Sequence, residues 1–169
     1  NLFTIAGPAE APAQTEAAKV TLPTLPPPEA NPYDSLDFAV GEDGYLTCLS
    51  GESMLGIDVS YVQKDIDWQQ VKDAGIEFVI IKVAGRGYGE AGKLYFDDYW
   101  RSNYEGAKAV GLKVGVYFFS QAISEEEAVE EAEYLLEQLD GRALEMPVVY
   151  DWEYIDPATA DGIPRTVAM

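Results

Sequence analysis

The sequence predicts an α/β fold built on a parallel β-sheet, and two observations lead to this prediction. Apolar runs of strand length alternate along the chain with amphipathic segments of helix length, which is the order in which helices connect parallel strands. Residues 76–83 (IEFVIIKV) are apolar at nearly every position, as expected for a strand covered on both faces. The chain has 169 residues, which is enough for one such domain.

The regular pattern begins at residue 55 and can be followed element by element. Residues 55–59 (LGIDV) form the first predicted strand. Asp67 is placed to cap a short helix, and Gly75 ends that helix. The second strand, residues 76–83, leads through a glycine-rich loop to a helix predicted near residues 97–110.

Two more strands follow in the second half of this pattern. Residues 113–119 (KVGVYFF) form the third strand. Ser124 begins a capping-box sequence, SEEE, and the helix that it starts ends at Gly141. The apolar stripe of this helix consists of Ala128, Ala132, Leu135, Leu136 and Leu139. Pro147 then opens the fourth strand, PVVYDWEY.

Composition divides the chain into three segments. Residues 1–32 are rich in Pro, Ala, Thr and Glu and are predicted to be a disordered linker, because such a segment buries too little apolar surface to offset its ordering entropy. Residues 33–54 are acidic, contain the turn sequence GEDG and are predicted to form an arm with a short β-hairpin. Residues 55–169 are predicted to form the folded domain.

Charge and residue counts exclude several classes of function. The net charge of −19 argues against nucleic acid and against an anionic membrane surface as partners. The chain has no histidine and one cysteine, Cys48, which excludes His-based nucleophile systems, His-liganded metals and multi-Cys zinc sites. Acid–base chemistry must therefore come from Asp, Glu, Tyr or Lys side chains, and no cofactor is predicted.

The fourth strand ends in two carboxylates that have the spacing needed for acid–base chemistry. Side chains alternate along a strand, so Asp151 and Glu153 share one face and Trp152 takes the other. Two residues of strand rise hold the carboxylates roughly 6.5 Å apart, so the charge of one raises the pKa of the other. A protonated acid beside a charged one suits acid-assisted bond cleavage. Two solvated acids at a strand end are the alternative.

Polar side chains also follow the other three predicted strands. Parallel α/β sheets place their functional residues at the carboxyl ends of the strands. At these ends, in chain order, stand Asp58, Ser60, Lys82, Tyr117, Ser120, Gln121, Asp151 and Glu153. This coincidence favours an active site over a set of solvated surface residues.

The second loop contains two sequences that resemble nucleotide-binding motifs. Residues 87–92 (GYGEAG) spell the dinucleotide fingerprint, and residues 87–93 come close to a P-loop. Leu94 stands where a P-loop needs Ser or Thr, and the predicted helix begins only near residue 97. A connecting loop, or a mobile loop that shapes the substrate site, therefore explains these residues better than nucleotide binding.

Five motifs stand in order along the predicted domain: residues 56–60 (GIDVS), 66–68 (IDW), 78–82 (FVIIK), 111–121 (GLKVGVYFFSQ) and 147–153 (PVVYDWE). Together they resemble glycoside hydrolase family 25, the Chalaropsis-type N-acetylmuramidases, or lysozymes, of bacteria and phages. The resemblance implies a parallel (β/α) barrel of the TIM type, with the catalytic domain in the third segment of the chain. It also implies hydrolysis of the β-1,4 bond between N-acetylmuramic acid and N-acetylglucosamine in peptidoglycan.

The resemblance assigns roles to three acids. Glu153 matches the general acid of the family, and Asp151 matches the neighbouring acid that stabilises the charged intermediate or orients the substrate. Asp58 matches the first-strand carboxylate of the same cleft. The reaction could proceed through a covalent enzyme intermediate or with assistance from the substrate's own N-acetyl group. Both mechanisms use a pair of carboxyl groups on either side of the bond that breaks.

Three further residues are predicted to bind substrate. Tyr117 would hydrogen-bond the reacting sugar or stack on it, with inward barrel packing as the alternative. Lys82 would pair with the cleft acids and hold some of them ionised, and Gln121 follows the third strand beside them. Phe118 stands where many family members have histidine, a variant that leaves the acids unchanged.

The resemblance also implies a barrel that is incomplete at its C-terminal end. A full barrel has eight strands and commonly about 250 residues, whereas four strands are predicted here and the family's last cleft aspartate has no counterpart. We expect an open sheet edge that exposes apolar surface and through which copies could associate. We also expect little or no hydrolysis by this chain alone.

Two other functions remain open. A non-catalytic binder of cell-wall glycan would use exposed aromatic rings as stacking platforms. The candidate rings are Tyr88, Trp100, Tyr150, Trp152 and Tyr154, with helix–sheet packing as the alternative for Trp100 and Trp152. A structural half-barrel assembled with a partner is the other function. Peptidoglycan as a partner would place the protein outside the cell, secreted or attached to the cell surface.

Overall fold

The computed structural model describes residues 26–153, except residues 28, 43 and 90. Most of the predicted linker and Tyr154 lie outside the described residues. The strands are, in chain order, β1 (Phe38–Val40), β2 (Leu46–Cys48), β3 (Gly56–Val59), β4 (Phe78–Arg86), β5 (Leu94–Phe96), β6 (Lys113–Ser120) and β7 (Val148–Trp152). The helices are α1 (Trp68–Asp73), α2 (Trp100–Ala109) and α3 (Glu125–Leu139).

The main sheet is parallel, as the alternation of strands and helices predicts. Its strand order is β3-β4-β6-β7, with each neighbouring pair parallel. The short strand β5, which the sequence did not reveal, pairs antiparallel with the last residues of β4. Strands β1 and β2 form the separate antiparallel hairpin expected in the acidic arm.

Local capping signals place α1 and α3 where the sequence predicts them. Asp67 accepts a hydrogen bond from the Gln70 N–H at the start of α1, and Ser124 accepts one from the Glu127 N–H at the start of α3. The predicted capping box is only half formed, because the Glu127 carboxylate accepts from the Ile123 N–H instead. Among the described residues, no helix has both the length and the apolar character to cross a bilayer.

The two faces of the sheet have different partners. On one face, β4 and β6 bury a continuous row of apolar side chains against the helices. This row comprises Val79, Ile81, Val83, Val114, Val116 and Phe118, none more than 2 % exposed. The opposite face carries the residues of the cavity described below. Phe118 therefore belongs to the helix-covered core.

A one-residue irregularity in β4 changes which side chains reach each face. The pairing with β6 skips from Lys82 to Ala84, so Val83 is an extra residue in this strand. Because side chains alternate along a strand, one extra residue moves every later side chain to the other face. Arg86 consequently points to the helix side of the sheet, where it contacts α3.

Strand β7 lies at one edge of the described sheet. Val148 and Tyr150 of this strand are 50 % and 54 % exposed. The four parallel strands are fewer than the eight of a complete barrel. The apolar edge predicted from the sequence is thus present in the part of the chain that the structure describes.

Candidate functional site

A cavity of about 560 Å³ opens on the face of the sheet away from the helices. Its volume lies in the range of pockets that hold small ligands. It is lined by Asp58, Ile80, Lys82, Tyr117, Phe119, Val149, Asp151 and Glu153. Five of the six side chains predicted to act in catalysis or substrate binding therefore meet around one space.

Strand register explains why these side chains meet. Asp58 is paired with Ile80, which lies two residues before Lys82 on the same face of β4. Lys82 is paired with Tyr117, and Tyr117 with Val149, two residues before Asp151. Each strand thus contributes every second side chain near its carboxyl end to the cavity face.

Lys82 is a largely buried cation on the wall of the cavity. Its Nζ lies 4.7 Å from the centre of the Phe119 ring and 5.4 Å from the centre of the Tyr95 ring. Burial lowers the pKa of Lys82, and the nearby charges of Asp97, Asp151 and Glu153 oppose that shift. Lys82 therefore interacts electrostatically with both acids at the end of β7.

Tyr117 lies half-buried on the cavity wall, so its phenol faces the space that a ligand would occupy. Burial raises the pKa of Tyr117 to about 12, and the negative charge of Asp58 acts in the same direction. A hydrogen bond with Ser60 acts in the opposite direction. The phenol consequently keeps its proton at neutral pH and can donate a hydrogen bond.

We expect the alkaline titration of the protein to contain tyrosines that ionise late. Burial also raises the pKa of Tyr95 to about 12, whereas an unfolded tyrosine ionises near pH ~10. The folded values lie above the unfolded one, so the stability linked to these two groups is complete below pH ~10. It is lost as the pH rises toward 12. Phenolate absorbance measures the ionisation, and a late step that is unchanged in the Tyr117→Phe variant would contradict the assignment.

Gln121 is the one predicted substrate-binding residue that does not line the cavity. It has no exposed surface. Its Nε2 donates hydrogen bonds to the Ser120 carbonyl at 2.9 Å and to the Glu153 carbonyl at 2.7 Å. The structure therefore places Gln121 behind Glu153, without surface for a ligand to contact.

Asp97 supports the site, although the sequence predicts it only as the start of a helix. It is 2 % exposed. Its carboxylate accepts hydrogen bonds from the Tyr61 N–H at 2.8 Å and the Tyr99 N–H at 2.9 Å. Asp97 thus ties the turn that follows Asp58 to the segment before α2. This use of the carboxylate explains why α2 begins at Trp100 instead of near residue 97.

The glycine-rich loop does not have the structure of a nucleotide-binding loop. It connects two antiparallel strands, β4 and β5, instead of leading from a strand into a helix. The Gly87 N–H donates to the Lys93 carbonyl, and Arg86 Nη1 donates to the Gly92 carbonyl. The loop is therefore a connection between two strands, and a role in shaping the substrate site stays a prediction. Across residues 26–153, apart from the three omitted positions, no group of His, Cys, Asp or Glu side chains could hold a metal ion.

The aromatic residues considered as stacking platforms fall into two groups. Trp100 is 1 % exposed and packs in the core, which confirms the packing alternative for this residue. Tyr88, Tyr150 and Trp152 are partly exposed. The hydroxyl of Tyr150 lies 2.5 Å from Ser120 Oγ, and Trp152 Nε1 donates to the Ala122 carbonyl.

Comparison with known proteins points to one family. The sequence model of Glycosyl hydrolases family 25 matches residues 57–167, which contain all five motifs except the first residue of the first motif. The autolytic lysozyme of Clostridium acetobutylicum is 32% identical over 114 residues. This alignment covers 68% of the present chain and 32% of the Clostridium protein.

Solved structures give the same result for the fold. A family 25 glycosyl hydrolase from Bacillus anthracis is 27% identical, with a TM-score of 0.51, over 62% of this chain and 45% of that one. The modular autolysin LytC from Streptococcus pneumoniae, in complex with a synthetic peptidoglycan ligand, is 25% identical with a TM-score of 0.52. That match covers 64% of this chain and 25% of LytC. The chain therefore spans less than half of each of these relatives.

Proposed function

Because this chain belongs to glycoside hydrolase family 25, the lysozyme family, we propose that it forms the catalytic cleft of a peptidoglycan muramidase. The bond cleaved would be the β-1,4 bond between N-acetylmuramic acid and N-acetylglucosamine. The observation that carries the proposal is the meeting of Asp58, Asp151 and Glu153 around one cavity at the carboxyl ends of parallel strands.

In this proposal Glu153 supplies the proton that the leaving group needs. As the glycosidic bond breaks, the proton of Glu153 moves to the bridging oxygen, and positive charge develops on the ring that keeps the anomeric carbon. The carboxylates of Asp151 and Asp58 stabilise that charge electrostatically. Water then adds its oxygen to the anomeric carbon and releases a proton, which restores the acid.

Two other side chains of the cavity fit a glycan substrate. The protonated phenol of Tyr117 can donate a hydrogen bond to a sugar oxygen. Lys82 lines the same cavity, and its ammonium group can donate a hydrogen bond to an oxygen of the substrate. No step of this chemistry requires a metal ion or an organic cofactor.

Two of the relatives support peptidoglycan as the substrate. LytC was crystallised with a synthetic peptidoglycan ligand, and the Clostridium relative is an autolytic lysozyme. We extend that substrate class to the present chain. Peptidoglycan lies outside the cytoplasmic membrane, so we propose that the protein is secreted or attached to the cell surface.

Analysis of the products tests this proposal. The full-length protein is incubated with purified peptidoglycan, and new sugar ends are reduced with borohydride and identified. We expect reduced muramic acid, because cleavage on the reducing side of that sugar exposes its anomeric carbon. Reduced glucosamine would indicate a glucosaminidase, and released peptides without new sugar ends would indicate an amidase. Cleavage by this chain is expected to be slow, so the incubation is prolonged. Either of these other products, or no cleavage under these conditions, would refute the proposal.

A further inference from the structure

A buried polar network lies behind the cavity, on the helix side of the sheet. Glu131 of α3 is 1 % exposed and forms a 2.8 Å ion pair with Arg86. The same carboxylate accepts a 2.6 Å hydrogen bond from the Ser120 hydroxyl and a longer one, 3.4 Å, from the Gln121 N–H. This network holds the segment that follows β6 against α3.

Gln121 extends this network to Glu153. The ladder between β6 and β7 ends at the pair Ser120 and Trp152. One residue further along each strand, the Gln121 side chain donates to the Glu153 carbonyl at 2.7 Å and so continues the connection. The amide orientation is determined, because both contacts of Nε2 are carbonyl oxygens and only the NH₂ group can donate to them.

We propose that Gln121 is a positioning residue for Glu153: its fully buried amide holds the backbone of the general acid in place beyond the end of the strand. This inference rests on the proposed function, because it concerns the acid of that reaction. Gln121 itself touches no substrate. Its own position is set by Glu131, which Arg86 holds in turn.

The expected effect is on the rate of the chemical step. A proton can be transferred efficiently only when donor and acceptor are in hydrogen-bond reach, and a displacement of about 1 Å can reduce the rate roughly 100-fold. Gln121 is not part of the cavity wall, so loss of its contact displaces Glu153 but leaves the other lining residues in place. We therefore expect kcat to fall roughly 10–100-fold with little change in KM.

The test uses Gln121→Met, which keeps an unbranched side chain of similar length but removes the donor. Gln121→Asn is the second variant; it stays polar and smaller, but its amide is one carbon too short for the 2.7 Å contact. Glu130→Gln is the matched control, because Glu130 also pairs with Arg86 yet is exposed at the surface of α3. Kinetics on soluble glycan fragments and thermal unfolding are measured for all proteins.

The inference predicts that both Gln121 variants lose kcat, keep KM within about threefold and unfold cooperatively, while the Glu130→Gln control retains wild-type kinetics. Wild-type kcat in a folded Gln121 variant would overturn it. Equal losses in kcat and in glycan affinity would also overturn it, because they indicate general disruption of the cavity. If the unmodified protein cleaves no glycan, the proposed function fails, and that result is distinct from an active protein that tolerates the Gln121 changes.

Discussion

Under the proposed function, the Glu153→Gln variant is expected to lose hydrolysis of peptidoglycan by roughly 10²–10⁴-fold, the usual contribution of a positioned general acid. Glutamine has nearly the same size and still forms hydrogen bonds, but it has no proton that it can transfer to the leaving oxygen. Glu153 lies on the wall of the cavity, so the substitution leaves the shape of the site in place. Binding of glycan fragments should therefore stay within a few-fold of the unmodified protein.

A matched acid on the surface provides the control for this variant. Glu133 lies on the exposed side of α3, and Glu133→Gln should leave both hydrolysis and binding unchanged. Reducing-end release measures hydrolysis, and calorimetry with glycan fragments measures binding. Full activity of Glu153→Gln would contradict the role of Glu153. If the unmodified protein also binds glycan without hydrolysing it, that result would favour the alternative function of a non-catalytic glycan binder.

The Glu131→Gln variant is expected to lose about 3 kcal/mol of unfolding free energy, the lower end of the usual cost of breaking a buried ion pair. Arg86 is buried and lies 2.8 Å from Glu131, so neutral glutamine leaves its charge without the closest buried partner. The loss should not be larger, because the exposed Glu130 still pairs with Arg86. Urea denaturation followed by tryptophan fluorescence measures the change.

Two comparisons distinguish the contribution of this ion pair to stability from the general effect of substituting a residue of α3. Glu137→Gln removes an exposed acid from the same helix and should change stability far less. The double variant Arg86→Met with Glu131→Leu should be more stable than Glu131→Gln, because it replaces both charges by apolar groups. A stability of Glu131→Gln equal to that of Glu137→Gln would show that the buried pair contributes nothing.

The fold could be predicted from the sequence where the deciding signals are local. Asp67 and Ser124 cap their helices because a side-chain oxygen reaches the backbone N–H three residues away. Gly75 and Gly141 follow the ends of helices because both adopt positive φ angles, which glycine tolerates. Such interactions span a few residues and can be found without knowledge of the tertiary structure.

Contacts between distant residues could not be predicted in the same way. The sequence shows Arg86 three residues past the predicted second strand and Glu131 between Ala128 and Leu135 of the helix stripe. A charge beside such an apolar stripe is a sign of a buried partner. The sequence does not reveal that these two residues, 45 positions apart, pair with each other. It also places Gln121 near the acids but cannot decide whether its side chain enters the cavity or lies behind it.

By itself the sequence determined the alternation of the four parallel strands with the helices. It also determined that Asp151 and Glu153 share a face, because alternation along a strand is a property of the backbone. Only the tertiary structure decided which side chains after Lys82 reach that face. The extra residue Val83 shifts the register and turns Arg86 toward α3. Such a shift depends on pairing with a neighbouring strand, which no local pattern encodes.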